Sequence, residues 1–201
     1  MSIDSKIDEQ PSNPTLIMIR GVPGGGKSYV TARLQTAIGE EQVVVLDPDA
    51  IDKTGKEYEN FSKALTAESV DAKLHPYRFL RSKAYRGITA HKTVIWNQGF
   101  IDLDGFNKTT KNLQTYATDH GTQLPTLVVE VEINGDIARQ RVAKRAAQGG
   151  HNVPEEAFDR FIGQYRSFSD EGYTTVTVNG QDDVTVSTAA ILQALEKLKQ
   201  N

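Results

Sequence analysis

The chain of 201 residues carries 23 Lys+Arg against 26 Asp+Glu, a net charge of −3, no cysteine, 16 glycines and 7 prolines. A 38% hydrophobic and 24% charged composition is ordinary for a globular protein and excludes wholesale disorder, while the lack of cysteine excludes disulfide scaffolds, thiolate metal centres and thiol nucleophiles. The longest apolar runs, Leu16 to Ile19 and Val43 to Leu46, are too short for a membrane span or a signal-peptide core. A cytoplasmic protein without a membrane partner is expected, and its slight acidity favours a small-molecule partner over nucleic acid.

Residues 1–14, rich in Ser, Asp, Gln, Asn and Pro, read as a tail, and residues 15–201 as one domain. The first predicted strand, Thr15–Arg20, is an apolar run suited to burial on both faces. It leads directly into Gly21-Val22-Pro23-Gly24-Gly25-Gly26-Lys27-Ser28, a complete G-x-x-x-x-G-K-S, with helical spacing following over 27–38. Gly21, Gly24, Gly25 and Gly26 permit a backbone that turns its N–H groups toward phosphate oxygens. Lys27 is placed to reach the β/γ-phosphates, Ser28 to ligate Mg²⁺, and Tyr29 to touch the nucleotide. A nucleoside triphosphate with Mg²⁺ is the implied ligand.

A second strand, Gln42–Leu46, delivers Asp47-Pro48-Asp49 to the carboxyl edge of the sheet. If extended, this D-x-D sets both carboxylates on one side, Asp47 toward the metal's water shell and Asp49 toward an acceptor hydroxyl. Phosphoryl transfer to an alcohol needs such a proton-accepting carboxylate together with cations on the γ-phosphate. The acceptor is expected over residues 50–75, where Asp52, Lys53, Lys56, Tyr58, Glu59 and Asn60 offer a polar surface. A helix is predicted over 76–91, a strand over Thr93–Asn97 and a helix over 104–119. Asp52-Lys53-Thr54-Gly55 and Asp102-Leu103-Asp104-Gly105 both fit a GTPase D-x-x-G. Thr110, however, stands where a guanine-reading aspartate belongs, and one residue between Gly105 and Asn107 leaves no room for the intervening elements. The third strand ends in Asn97-Gln98, not in the acid usual for a motor ATPase.

After a strand at Thr126–Ile133, a helix over 136–147 carries Arg139, Arg141, Lys144 and Arg145. Arg141 and Arg145 lie one turn apart, opposite a packing stripe of Ala138, Val142 and Ala146. On that face they can straddle a triphosphate and stabilise the transferring group. Gly149-Gly150 then breaks the helix, and Pro154 opens the next, over 154–168, so that residues 136–168 have the form of a lid. A strand at Thr174–Val178 and a helix over 187–199, with Ser187 as N-cap, complete the chain. Five strand–helix alternations predict an α/β P-loop NTPase fold: a five-stranded, mostly parallel sheet, helices on both faces and a helical lid. The ligands belong beyond the carboxyl ends of its strands.

Four stretches resemble the P-loop kinases of the zeta-toxin and polynucleotide 5′-kinase group: Gly21–Ser28, Val43–Asp49, His75-Pro76-Tyr77, and Arg145 through Gly149-Gly150-His151-Asn152-Val153-Pro154-Glu155-Glu156 to Arg160. The resemblance, over about residues 15–178, implies ATP and Mg²⁺ on Lys27 and Ser28, Asp49 as acceptor base, and Arg141 or Arg145 over the phosphates. Asp47 as metal-serving acid is similar to the first acid of the D-x-D in small-metabolite kinases. By resemblance the acceptor is a UDP-amino sugar and an antitoxin protein is a partner. Trp96-Asn97-Gln98-Gly99 departs from the functional glutamate and Gly-Thr-Gly of zeta toxins, and His151 stands where some relatives carry a lid arginine. The expected activity is ATP-dependent phosphoryl transfer to a small-molecule hydroxyl by Lys27, Asp49 and Arg145. A polynucleotide 5′-hydroxyl kinase and a non-catalytic ATP-binding regulatory protein are the alternatives.

Overall fold

Burial on both faces of the central strands dictates the architecture. The computed structural model describes residues 13–150 and 152–200; His151 and most of the predicted tail lie outside them. The strands are β1 (Thr15–Gly21), β2 (Val43–Leu46), β3 (Thr93–Asn97), β4 (Thr126–Glu132) and β5 (Thr174–Asn179). They form one sheet in the order β2-β3-β1-β4-β5, and every pairing is parallel. All residues of β1 and β3 are buried, as continuous apolar runs in a covered parallel sheet must be.

The helices are α1 (Lys27–Ile38), α2 (Lys56–Ala67), α3 (His75–Thr89), α4 (Leu103–Asp119), α5 (Gly135–Ala147), α6 (Glu155–Gln164) and α7 (Val184–Gln200). Strand side chains alternate between the faces. Leu16, Met18, Trp96 and Val128 pack with Leu80, Ala84 and Ile88 of α3 and Phe106, Leu113 and Ala117 of α4. Ile17, Ile19, Ile95 and Val129 pack with Val30 and Leu34 of α1 and Ile191 and Leu195 of α7. A third cluster, Val22, Ala138, Val142 and Phe158, joins α5 and α6 to the loop after β1. No helix among the described residues is long and apolar enough to cross a membrane.

Three predicted elements differ from expectation, each for a physical reason. Residues 56–67, expected as polar surface, form α2, whose Tyr58 and Leu65 are buried; Tyr58 meets the Phe79 ring edge-on at 5.2 Å. His75 holds α2 to α3: Nε2 donates to the Val70 carbonyl at 3.0 Å, which leaves Nδ1 to accept from the Ser62 hydroxyl at 2.8 Å. The helix expected over 154–168 ends at Gln164, because the backbone beyond it bonds elsewhere. The last helix starts at Val184, so Ser187 lies buried inside it. The Asp183 carboxylate takes the capping role, accepting from the Thr185 N–H at 2.8 Å.

Phe106 of α4 is fully buried, with ring centroids 5.3 Å from Phe100, 4.9 Å from Phe168 and 5.0 Å from Tyr173. It thereby fastens the loop after β3 and the connection from α6 to β5 to α4. Phe106→Ala should cost roughly 3–5 kcal/mol, measured as a lowered urea midpoint at unchanged m-value.

Candidate active site

The first crossover leaves β1 toward β2 and β3, whereas β4 and β5 lie on its other side. The loop after β1 therefore sits at the switch point, where parallel sheets open a crevice. Two glycines define it. Gly24, at φ +79°, lies so close to α5 that a Cβ would stand 2.4 Å from the Ala138 carbonyl oxygen. Gly26, at φ +100°, is the left-handed residue immediately before α1. Lys27 folds back over the loop, its Nζ donating to the Gly21 and Val22 carbonyls at 3.0 and 3.1 Å. Burial lowers its pKa to about 8, helped by the Arg145 charge and opposed by the Asp49 and Asp47 carboxylates.

Asp47-Pro48-Asp49 takes up the turn for which Asp-Pro-Asp is suited: Pro48–Ala50 form a short 3₁₀ turn. Asp47 caps it, Oδ1 accepting from the Asp49 N–H at 2.9 Å. Its Oδ2 accepts from Asn97 Nδ2 at 2.7 Å, and the same amide nitrogen approaches Ser28 Oγ at 3.3 Å. Burial raises the pKa of Asp47; the Asp49 N–H bond is the largest opposing effect. Asn97 is 3% exposed, and its Oδ1 has no hydrogen-bond partner among the described residues.

Ser28 and Asp47 thus bring a hydroxyl and a carboxylate together, tied by the Asn97 amide nitrogen. Oxygen donors of this kind fit Mg²⁺, which takes few protein ligands beside water and phosphate. No group of three or more His, Cys, Asp or Glu suited to a metal occurs among the described residues.

On α5, Arg141 Nη1 donates to the Gly180 carbonyl at 2.9 Å and stands 3.5 Å from that of Gly24. Arg145, one turn on, lines the same cleft as Lys27. Arg139 leaves the cluster: it bridges α5 to α6, 3.1 Å from Glu155 and 2.6 Å from Asp159. Both D-x-x-G segments serve the backbone. Asp52 accepts from the Thr54 N–H and hydroxyl, and Asp102 caps α4 through the Asp104 and Gly105 N–H groups.

Two clefts meet here. One, of about 510 Å³, is lined by Gly24, Gly26, Lys27, Ser28, Tyr29, Asp47, Asp49, Asn97, Arg141 and Arg145 among others. The second, of about 680 Å³, lies between α3, α4 and the loop after β3. Gln98, Gly99 and Phe161 line both. The larger cleft therefore sits over residues 74–113 and not over 50–75, which contribute only Leu74 to it. A smaller hollow of about 300 Å³ beside Tyr29 and Arg141 runs toward Gly180 and Asp182.

Beneath the clefts lies a buried pair that carries no motif. Arg20 and Glu130 are register partners on β1 and β4, fully buried and in contact. Arg20 donates to the Phe100 carbonyl at 3.2 and 2.9 Å and to the Arg166 carbonyl at 2.6 Å. Glu130 accepts from the Ser167 hydroxyl at 2.6 Å and the Phe168 N–H at 2.7 Å. These bonds take the backbone that would have continued α6. The guanidinium lies 4.3 Å from the Tyr165 ring centroid and 3.4 Å from that of Phe168, and burial pushes the Tyr165 phenol pKa up. The signal in the sequence was a pair of opposite charges adjoining the apolar runs Leu16–Ile19 and Leu127–Val129.

The sheet order, the glycine loop and the helix behind it define an α/β P-loop NTPase fold. The chain belongs to the AAA domain family, whose model matches residues 16–168. Its fold is similar to that of a protein taken to be a kinase from Chloroflexus aurantiacus J-10-fl, at TM-score 0.62 and 19% identity over 90% of this chain and 98% of that one. A gluconokinase from Sinorhizobium meliloti 1021 is similar at TM-score 0.57 and 18% identity, over 94% and 95%. Chaetomium thermophilum Kti12 in complex with ADP-AlF3 is similar at TM-score 0.56 and 15% identity, over 89% and 98%. Comparison with curated proteins gives no match.

A lysine whose pKa is about 8 makes anion binding proton-linked. An anion binds the protonated form and raises the pKa, so affinity for ADP should be flat below pH 8 and fall by roughly tenfold per unit above it. At pH 9, where roughly nine-tenths of Lys27 is neutral in the free protein, calorimetry in buffers of different ionisation enthalpy should register uptake of nearly one proton. Binding without uptake would contradict the lowered pKa.

Proposed function

We propose that this protein is a kinase that moves the γ-phosphate of ATP to a hydroxyl of a small molecule. The observation carrying the reading is the junction of two clefts at Gln98, Gly99 and Phe161, one holding the phosphate loop and Asp49, the other open to an acceptor. A simple ATPase has no need of the second cleft. The kinase neighbours of the fold support the same chemistry.

In this reading the loop N–H groups and Lys27 hold the β/γ-phosphates, with Lys27 exchanging the Gly21 and Val22 carbonyls for phosphate oxygens. Arg145 adds a second cation on the transferring group, and Arg141 fixes α5 against the phosphate loop. Asp49 accepts the proton of the acceptor hydroxyl as the new O–P bond forms and the bond to the bridging β-phosphate oxygen breaks. Ser28 and Asp47 would hold Mg²⁺ with Asn97 beside them, and the ion when bound supplies further neutralisation of the phosphate charge. Thr110, where a GTPase carries its base-reading aspartate, is buried in α4, which favours ATP. The likeness to zeta toxins supports a UDP-amino sugar as acceptor and an antitoxin protein as partner. A polynucleotide 5′-hydroxyl is the alternative acceptor.

One observation favours a second reading. Asn97 places a neutral amide where a zeta toxin carries an acid, which fits a nucleotide-binding regulator that does not turn over. An ADP-release screen over UDP-sugars, nucleosides, antibiotics and 5′-hydroxyl oligonucleotides separates the two. Acceptor-dependent ADP release that falls about 100-fold or more in Lys27→Ala and in Asp49→Asn is expected. Unchanged rates in those variants would refute the mechanism, and tight ATP binding with no acceptor-dependent release would favour the regulator.

A further inference from the structure

The larger cleft has a charge pattern that the phosphate-transfer machinery does not use. Arg78 and Arg81 of α3 line one wall and Lys108 of α4 the other. Residues three apart on a helix share a face, so both arginines serve the same wall. None of the three cations is in an ion pair among the described residues. Asp102 is the one carboxylate lining this cleft among the described residues, and its oxygens are engaged by the Asp104 and Gly105 N–H groups at 3.2 and 2.9 Å. Trp96, Phe100 and Leu113, all buried, supply an apolar floor, beside which a charge is screened less than in open water.

Three cations around one concavity repel each other until an anion enters. On the kinase reading above, we propose that the acceptor is an anionic small molecule, a hydroxyl compound bearing a phosphate or carboxylate group. Arg78, Arg81 and Lys108 hold that group, and the hydroxyl reaches past Gln98 and Gly99 toward Asp49. The volume of about 680 Å³ suits a metabolite-sized ligand. Tyr77 and Leu74, 44% and 47% exposed, give apolar cover at the rim. Arginine suits this wall because a planar guanidinium binds phosphate or carboxylate through two parallel bonds.

Trp96 is the only tryptophan in the chain and lines this cleft, so its emission reports on occupancy. Protein saturated with an imido analogue of ATP and Mg²⁺, which fills the phosphate loop, is titrated with inorganic phosphate at constant ionic strength. A saturable change in emission is expected. The apparent Kd should weaken at least about tenfold in Arg78→Gln/Arg81→Gln, the loss of charge-assisted bonds, and by a smaller factor in Lys108→Gln on the facing helix. Affinity for the ATP analogue should stay within about twofold. Glucose 6-phosphate should bind more tightly than glucose wherever either binds. No saturable response to phosphate, an unchanged Kd in the double variant, or glucose binding as tightly as glucose 6-phosphate overturns the proposal. The readout is binding, so a protein that transfers no phosphate still answers it, and the kinase reading fails separately.

Discussion

The buried Arg20–Glu130 pair is the constraint on which the site depends. Two charges removed from water cost several kcal/mol each unless their remaining hydrogen bonds are satisfied, and here they are satisfied by backbone from two distant segments. Phe100 belongs to the loop that joins the clefts, and Arg166 to Phe168 to the stretch that follows α6. One residue beyond Arg20 the phosphate loop begins. The phosphate loop, the loop after β3 and the stretch after α6 are therefore rooted at one point of the sheet, at the top of β1 and β4. A well-packed apolar pair in the same place would be neutral or stabilising; what it would lack is the directionality that fixes these segments relative to one another.

From that root the electrostatics divide. The phosphate cleft brings Lys27 and Arg145 opposite Asp47 and Asp49, a polarised arrangement in which the lysine is easily deprotonated until an anion joins it. Asn97 lies between Asp47 and Ser28 and ties them without adding charge. The neighbouring cleft has no such balance, its cations exceeding its carboxylates. A chain of nearly neutral average charge thus holds two concavities of different character, joined at Gln98 and Gly99.

Much of this was legible in the sequence because the signals were local. Strands buried on both faces write themselves as apolar runs, and the phosphate loop is contiguous, so the fold class followed from β1 and its glycines. α2 was not legible: Tyr58 and Leu65 are its only buried residues, and its polar side chains look like a binding surface. The end of α6 was set from outside, by Arg20 and Glu130 capturing the Arg166 carbonyl and Phe168 N–H. Arg139 illustrates the same limit, because its partners Glu155 and Asp159 lie on a helix whose packing the local pattern does not specify. The Asn97 bridge depends on three separate segments meeting, and no spacing within one segment encodes that.

Hydrogen–deuterium exchange on Arg20→Lys tests the common root most directly. Lysine keeps the charge for Glu130 but cannot hold the Phe100 and Arg166 carbonyls together. Peptides covering 98–102 and 165–169 should lose protection together, while those of β3 and α7 keep theirs. Continued protection of both segments, or loss confined to one of them, would contradict the account.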